Sequence, residues 1–115
     1  MDLKAKVLAL DSMVVKGQIL ESVEKFFHPD VVTMEGNEGK IEGKTNKLDH
    51  LKQFFSSISA VNEIVLHSQS VGDDVTMSEF TFDLLQSDGN RILWNEVLRR
   101  EWKDGLVINE RYYTA

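Results

Sequence analysis

At 115 residues the chain has the length of one ordinary domain, and 42% hydrophobic residues are enough for a packed core. A formal net charge of −6 argues against nucleic acid and anionic membrane surfaces as partners, since both want clustered Lys and Arg. Without cysteine there is no disulfide framework, no thiolate nucleophile and no cysteine-based zinc site.

No apolar run approaches the length of a membrane span. The opening MDLKAKVLALDSM lacks the long apolar stretch of a secretion signal, so a cytoplasmic location is expected. Leu3, Val7, Leu10 and Val14 recur at helical spacing and predict an amphipathic helix over residues 2–16, broken by Gly17. A second helix over 18–27 carries Ile19, Leu20, Val23, Phe26 and Phe27. It ends at His28-Pro29-Asp30, because the residue before proline is pushed out of α geometry. Residues 31–35 read as a short strand, and Gly36, Gly39 and Gly43 mark a turn-rich stretch with a small hairpin near 40–42. Thr45 is placed to cap a third helix through its hydroxyl, with Leu48, Leu51, Phe55 and Ile58 as the buried stripe.

Four strand-like runs follow, over 60–71, 75–85, 91–102 and 106–114, separated by polar Gly-containing turns. Asp104-Gly105 between the last two is a strong hairpin signal, because the tight turn needs positive φ at both central residues. Helices first and an antiparallel meander afterwards argue an α+β fold in a single domain, 1–115, with helices on one face of a curved sheet.

The alternation in the last two strands is interrupted. Trp94, Glu96, Leu98, Arg100 and Trp102 share one face of the first, and Ile108, Glu110 and Tyr112 one face of the second. An apolar face broken by carboxylates looks like the wall of a pocket rather than a solid core. Phe80 and Phe82 add aromatic surface that serves either a pocket or a core. His28, His50 and His67 show no ligand spacing, so no metal site and no cofactor are expected.

The chain resembles the NTF2-like superfamily, and within it the SnoaL-like and ketosteroid-isomerase-like proteins. Four segments carry the likeness. Phe26-Phe27-His28-Pro29-Asp30-Val31-Val32 is similar to the family's lead-in to its first strand, and Gly43-Lys44 with the helix ending Phe54-Phe55 to its third helix. Residues 75–85 stand where the family has a long pocket-lining strand, and Trp102-Lys103-Asp104-Gly105-Leu106-Val107 resembles its W-x-D-G-x-I hairpin. The resemblance implies an NTF2-like cone: a curved antiparallel sheet with the three helices of the N-terminal half on its concave face, open at one end and often homodimeric through the sheet.

It also implies candidate site residues. Glu35 stands where ketosteroid isomerases carry a general base on the first strand; the competing reading is a solvated residue entering the Gly36-Asn37 turn. Positions matching Glu110 and Tyr112 face the cavity in SnoaL-like and epoxide-hydrolase-like proteins, as an acid or base and a hydrogen-bond donor. With Glu96, these carboxylates are the catalytic candidates. Thr33, Phe80, Phe82, Trp94, Leu98, Trp102, Ile108 and Tyr112 are the candidate ligand contacts. An ion pair of Glu96 with Arg100, organising the sheet without catalysis, is the alternative for that face.

Two departures narrow the chemistry. The oxyanion-stabilising Tyr and Asp of the isomerases align with Leu10 and Leu98, which donate nothing, and the Arg and Asp of the epoxide hydrolases align with Phe80 and Phe82. The expectation is a protein that binds an apolar small molecule, with lyase- or isomerase-type proton transfer as the enzymatic form. A non-catalytic carrier or a dimerisation module is the alternative.

Overall fold

The computed structural model describes residues 2–114. It contains helices α1 (Leu3–Val15), α2 (Ile19–Phe26) and α3 (Lys44–Phe55), and strands β1 (Phe27–Glu35), β2 (Glu38–Glu42), β3 (Ile58–Val71), β4 (Val75–Gln86), β5 (Arg91–Lys103) and β6 (Leu106–Thr114). The six strands form one sheet in the order β2-β1-β6-β5-β4-β3. The sheet stays open, with β2 and β3 at its edges. It is mixed rather than wholly antiparallel, because β1 runs parallel to β6 while the other four strand pairs are antiparallel.

Local sequence explains the boundaries. The Asp2 side chain accepts the Ala5 amide at 3.2 Å and starts α1, which buries Leu3, Val7, Leu10, Asp11 and Val14. The strand after α2 begins at Phe27, earlier than the proline suggests. Pro29 is accommodated because the β1–β6 ladder is irregular between Phe27 and Val32, so its missing N–H costs no ladder bond. Gly43, at φ 90, is the N-cap of α3; Thr45 lies inside the helix and does not cap it. Ile58, expected on that helix, is the first residue of β3. Asp104 and Gly105 take φ 52 and 80, the geometry that a tight hairpin turn requires.

The inner face of the sheet is read off the register. Thr33, Glu110, Arg100 and Thr76 lie abreast on β1, β6, β5 and β4. The next row is Glu35, Tyr112, Leu98 and Ser78, and Glu96 lies one row further on, between Thr114 and Phe80. A bulge on β6 shifts the parity of this face: Glu101 pairs with Asn109 and Trp102 with Val107, which leaves Ile108 as the extra residue. Val107, fully buried, therefore takes the inward place expected for Ile108. The core joins the α1 stripe, Val23, Phe26, Phe27 and Val31 to Phe80, Phe82, Trp102 and Val107. Among the described residues no helix is long and apolar enough to cross a membrane.

Candidate functional site

Between the inner face of the sheet and the helices lies a cavity of about 320 Å³. Leu51, Phe54 and Phe55 of α3 are only half-buried, because the face they turn inward borders this space rather than packed side chains. Phe82, Trp94 and Leu98 face them from the sheet, and Leu10, Val14 and Val23 complete the apolar wall. The Phe54 and Trp94 rings stack, with centroids 5.6 Å apart, and Trp94 keeps 39% exposure.

A buried charge network forms one side of the cavity. Arg100 donates through Nε to Glu110 at 2.8 Å and through Nη1 to Asp11 at 2.7 Å, so that it ties β5 to β6 and α1. Asp11 also accepts from Ser78 and from Gln69, the latter at 2.7 Å. Lys47 of α3 stands 3.7 Å from Glu110 and hydrogen-bonds the Tyr112 hydroxyl. Burial opposes the charge on Arg100, but Glu110 and Asp11 outweigh it and hold the guanidinium above its ordinary value. Burial likewise works against the Glu110 carboxylate, and is outweighed by Arg100 and Lys47, which hold it low. For Lys47 burial wins over Glu110, with Arg100 assisting, and the ammonium is lowered. Burial and the neighbouring Glu110 raise Tyr112 well above the ordinary phenol value, so it stays a neutral hydroxyl.

Glu96 differs from these groups. It is 9% exposed and borders the cavity, yet no hydrogen bond or ion pair to it occurs among the described residues. Burial pushes its carboxyl up to about 7, repulsion from Glu35 and Glu110 adds to this, and Lys47 opposes. A carboxyl that titrates near neutrality and faces an apolar space can give or take a proton at physiological pH.

No family model matches the sequence, and no curated protein matches it. Solved structures do match. A SnoaL-like polyketide cyclase from Mesorhizobium loti superposes with a TM-score of 0.84 at 23% identity, covering 98% of this chain and 99% of its own. TerC, crystallised with polyporic acid, gives 0.77 at 14% identity over 96% and 89% of the two chains. A ketosteroid-isomerase-like protein from Catenulispora acidiphila, in complex with trimethylamine, gives 0.77 at 8% identity over 93% and 83%. The chain has the NTF2-like fold. Identities this low make the likeness one of backbone, and chemistry has to be argued from side chains.

Within this NTF2-like fold the sequence candidates separate. Glu35, Glu96, Glu110, Thr33, Phe82, Trp94, Leu98 and Tyr112 all border the cavity. Glu35 is exposed at the end of β1, beside the turn. Glu110 is held by two cations and is poorly placed to act as a free base. Phe80 and Trp102 lie in the core: Phe80 packs on Phe82 with centroids 5.3 Å apart, and the Trp102 indole donates to Thr76 at 2.9 Å. Ile108 lies away from the cavity because of the β6 bulge. The alternative reading of an ion pair between Arg100 and Glu96 does not hold: Arg100 pairs with Glu110 and Asp11. Leu10 and Leu98 are apolar wall, as their alignment with the isomerase donors implies.

Two charged residues of the network, Asp11 and Lys47, escaped the sequence reading. Each leaves a trace there. Asp11 lies four residues after Val7, on the buried stripe of α1, and Lys47 lies four before Leu51, on the inward face of α3. A charged residue in register with an apolar stripe is the signal that finds both.

Proposed function

We propose that the cavity binds an apolar small molecule and that Glu96 exchanges a proton with it, in lyase- or isomerase-type chemistry near neutral pH. The observation that carries this reading is Glu96, a residue only 9% exposed whose carboxyl borders the cavity with no hydrogen bond or ion pair among the described residues and is brought by burial to about 7. As the carboxylate it accepts a proton from the bound ligand; as the acid it returns that proton to another atom of the ligand. The neutral Tyr112 hydroxyl and Lys47 supply hydrogen-bond donors at the charged side of the cavity, from positions other than those the steroid isomerases use. Small organic molecules bound to TerC and to the Catenulispora acidiphila protein support a small-molecule reading for this fold.

The decisive comparison is Glu96→Gln in a screen of apolar ligands by quenching of Trp94 fluorescence, followed by turnover assays on the binders. Turnover falling about 100-fold or more with binding retained supports proton transfer. Unchanged turnover in the variant removes Glu96 from the chemistry, and binding without turnover in either protein leaves a carrier. Homodimerisation through the sheet belongs to the same proposal. Met77, Leu93 and Tyr113 lie exposed on the outer face, opposite the cavity. Light scattering of Leu93→Lys should then show loss of a dimer.

A further inference from the structure

The charges around the cavity pair off and leave two carboxylates over, with Glu96 the more buried of them. Arg100 matches Asp11 and Glu110, Lys47 adds a second cation to Glu110, and Lys40 at the rim is bound to Glu42 at 3.0 Å. The groups that face Glu96 are Glu35 from β1, Lys47 and His50 from α3, Arg100 from its own strand, and Glu110 and Tyr112 from β6; β4 contributes the apolar Phe80 and Phe82. Glu35 is a second carboxylate without a cation at the same mouth. The Glu96 carboxyl, unpaired at a largely desolvated cavity wall, gains free energy from a counter-charge placed beside it. Lys47, which acts on Glu96 through space, is engaged by Glu110 and Tyr112 and makes no ion pair with Glu96.

The rings beside Glu96 define what kind of counter-charge fits. Trp94 is two residues from Glu96 on the same face of β5, and it stacks on Phe54. Aromatic faces attract a cation through their quadrupole and shield the alkyl groups around a substituted nitrogen. A strongly hydrated metal ion has no comparable use for such walls, and no cluster of metal ligands occurs among the described residues.

We propose that the ligand carries one cationic nitrogen on an apolar body, seated against the Glu96 carboxylate and the Trp94–Phe54 ring pair. This rests on the reading of the cavity as a small-molecule site with Glu96 as its proton-exchanging group, and it names the atom that receives the proton. A neutral amine entering beside protonated Glu96 takes the proton from the carboxyl oxygen onto its nitrogen lone pair. A carboxylate and an ammonium result, the charges balance, and no bond to carbon changes.

Benzyltrimethylammonium tests this without a titration of its own. Its affinity, read by Trp94 quenching, should exceed that of its neutral carbon isostere neopentylbenzene at least tenfold, and benzoate should not compete. Affinity should rise about 30-fold from pH 5.5 to 8.5 as Glu96 ionises, and Glu96→Gln should flatten that rise, whereas Glu35→Gln should only displace it to lower pH. Equal affinity for the isostere, tighter binding of benzoate, a flat pH profile or no binding of the cation overturns the proposal. Should a neutral ligand bind and turn over only with Glu96 intact, the cation fails while proton transfer stands. Should the cation bind as expected and no ligand turn over, the cation stands and catalysis fails.

Discussion

Glu96→Gln has a stability signature that needs no ligand. The carboxyl sits at about 7 in the folded protein against an ordinary 4.5. At roughly 1.36 kcal/mol per pH unit, that difference sets a ceiling of about 3.4 kcal/mol. The cavity is open at its mouth, so solvent screening reduces the expected effect to about 1–2 kcal/mol. The folded state holds the proton more tightly than the unfolded chain. The contribution of Glu96 to wild-type stability is therefore complete below about pH 4.5 and is lost as pH rises through about 7, where the unfolded chain gains by ionising freely. Glutamine carries no charge and should remove this loss. In urea denaturation the two proteins should differ by only a few tenths of a kcal/mol at pH 4, while at pH 8 the variant should be more stable by about 1–2 kcal/mol. A difference that does not change between pH 4 and pH 8, or a variant less stable than the wild type at pH 8, would refute the placement of Glu96 in a desolvated wall.

Other outcomes follow from the same geometry. Arg100→Met strips Asp11 and Glu110 of their common cation and should cost about 3–5 kcal/mol in urea melts; a loss below about 1 kcal/mol would mean that the network is not dry. Glu35→Gln removes one of the repulsions that raise Glu96, so carboxyl NMR titration should find Glu96 below its wild-type value, and an unmoved titration would separate the two groups. Gly105→Val forces a β-branched residue to φ 80 and should lower stability by about 1–3 kcal/mol, whereas a normal melt would argue against the tight turn.

The sequence yields the fold well because its signals are local. The α1 stripe, the break at Gly17 and the Asp104-Gly105 turn each depend on a few neighbouring residues, and each stands where expected. The parallel β1–β6 pairing is different: it joins residues far apart in the chain, and neither strand carries a mark of its partner. The β6 bulge shows how a small event defeats a periodic reading. Alternation from Tyr112 back through Glu110 points to Ile108, but one inserted residue passes the inward place to Val107, and only the strand opposite reveals it.

The same distinction explains the candidate site. Glu35, Glu96 and Glu110 are equivalent as letters, since each is a carboxylate in a strand with an inward reading. Their chemistry diverges through partners supplied by other elements. Glu110 stands abreast of Arg100 and beneath Lys47, and becomes a fixed anion; Glu35 reaches the end of β1 and meets water. Glu96 lies two rows beyond Glu110 on the inner face, past the reach of Arg100, where α3 offers rings in place of cations. Lys47 settles the matter from the other side. Because it approaches Glu110 and Tyr112, it leaves Glu96 with only a distant opposing charge, too weak to offset burial. The position of one lysine on α3 thus separates Glu110, a paired anion, from Glu96, an unpaired carboxyl, and a lysine moved one helical turn towards the mouth would be expected to bring Glu96 back below its present value.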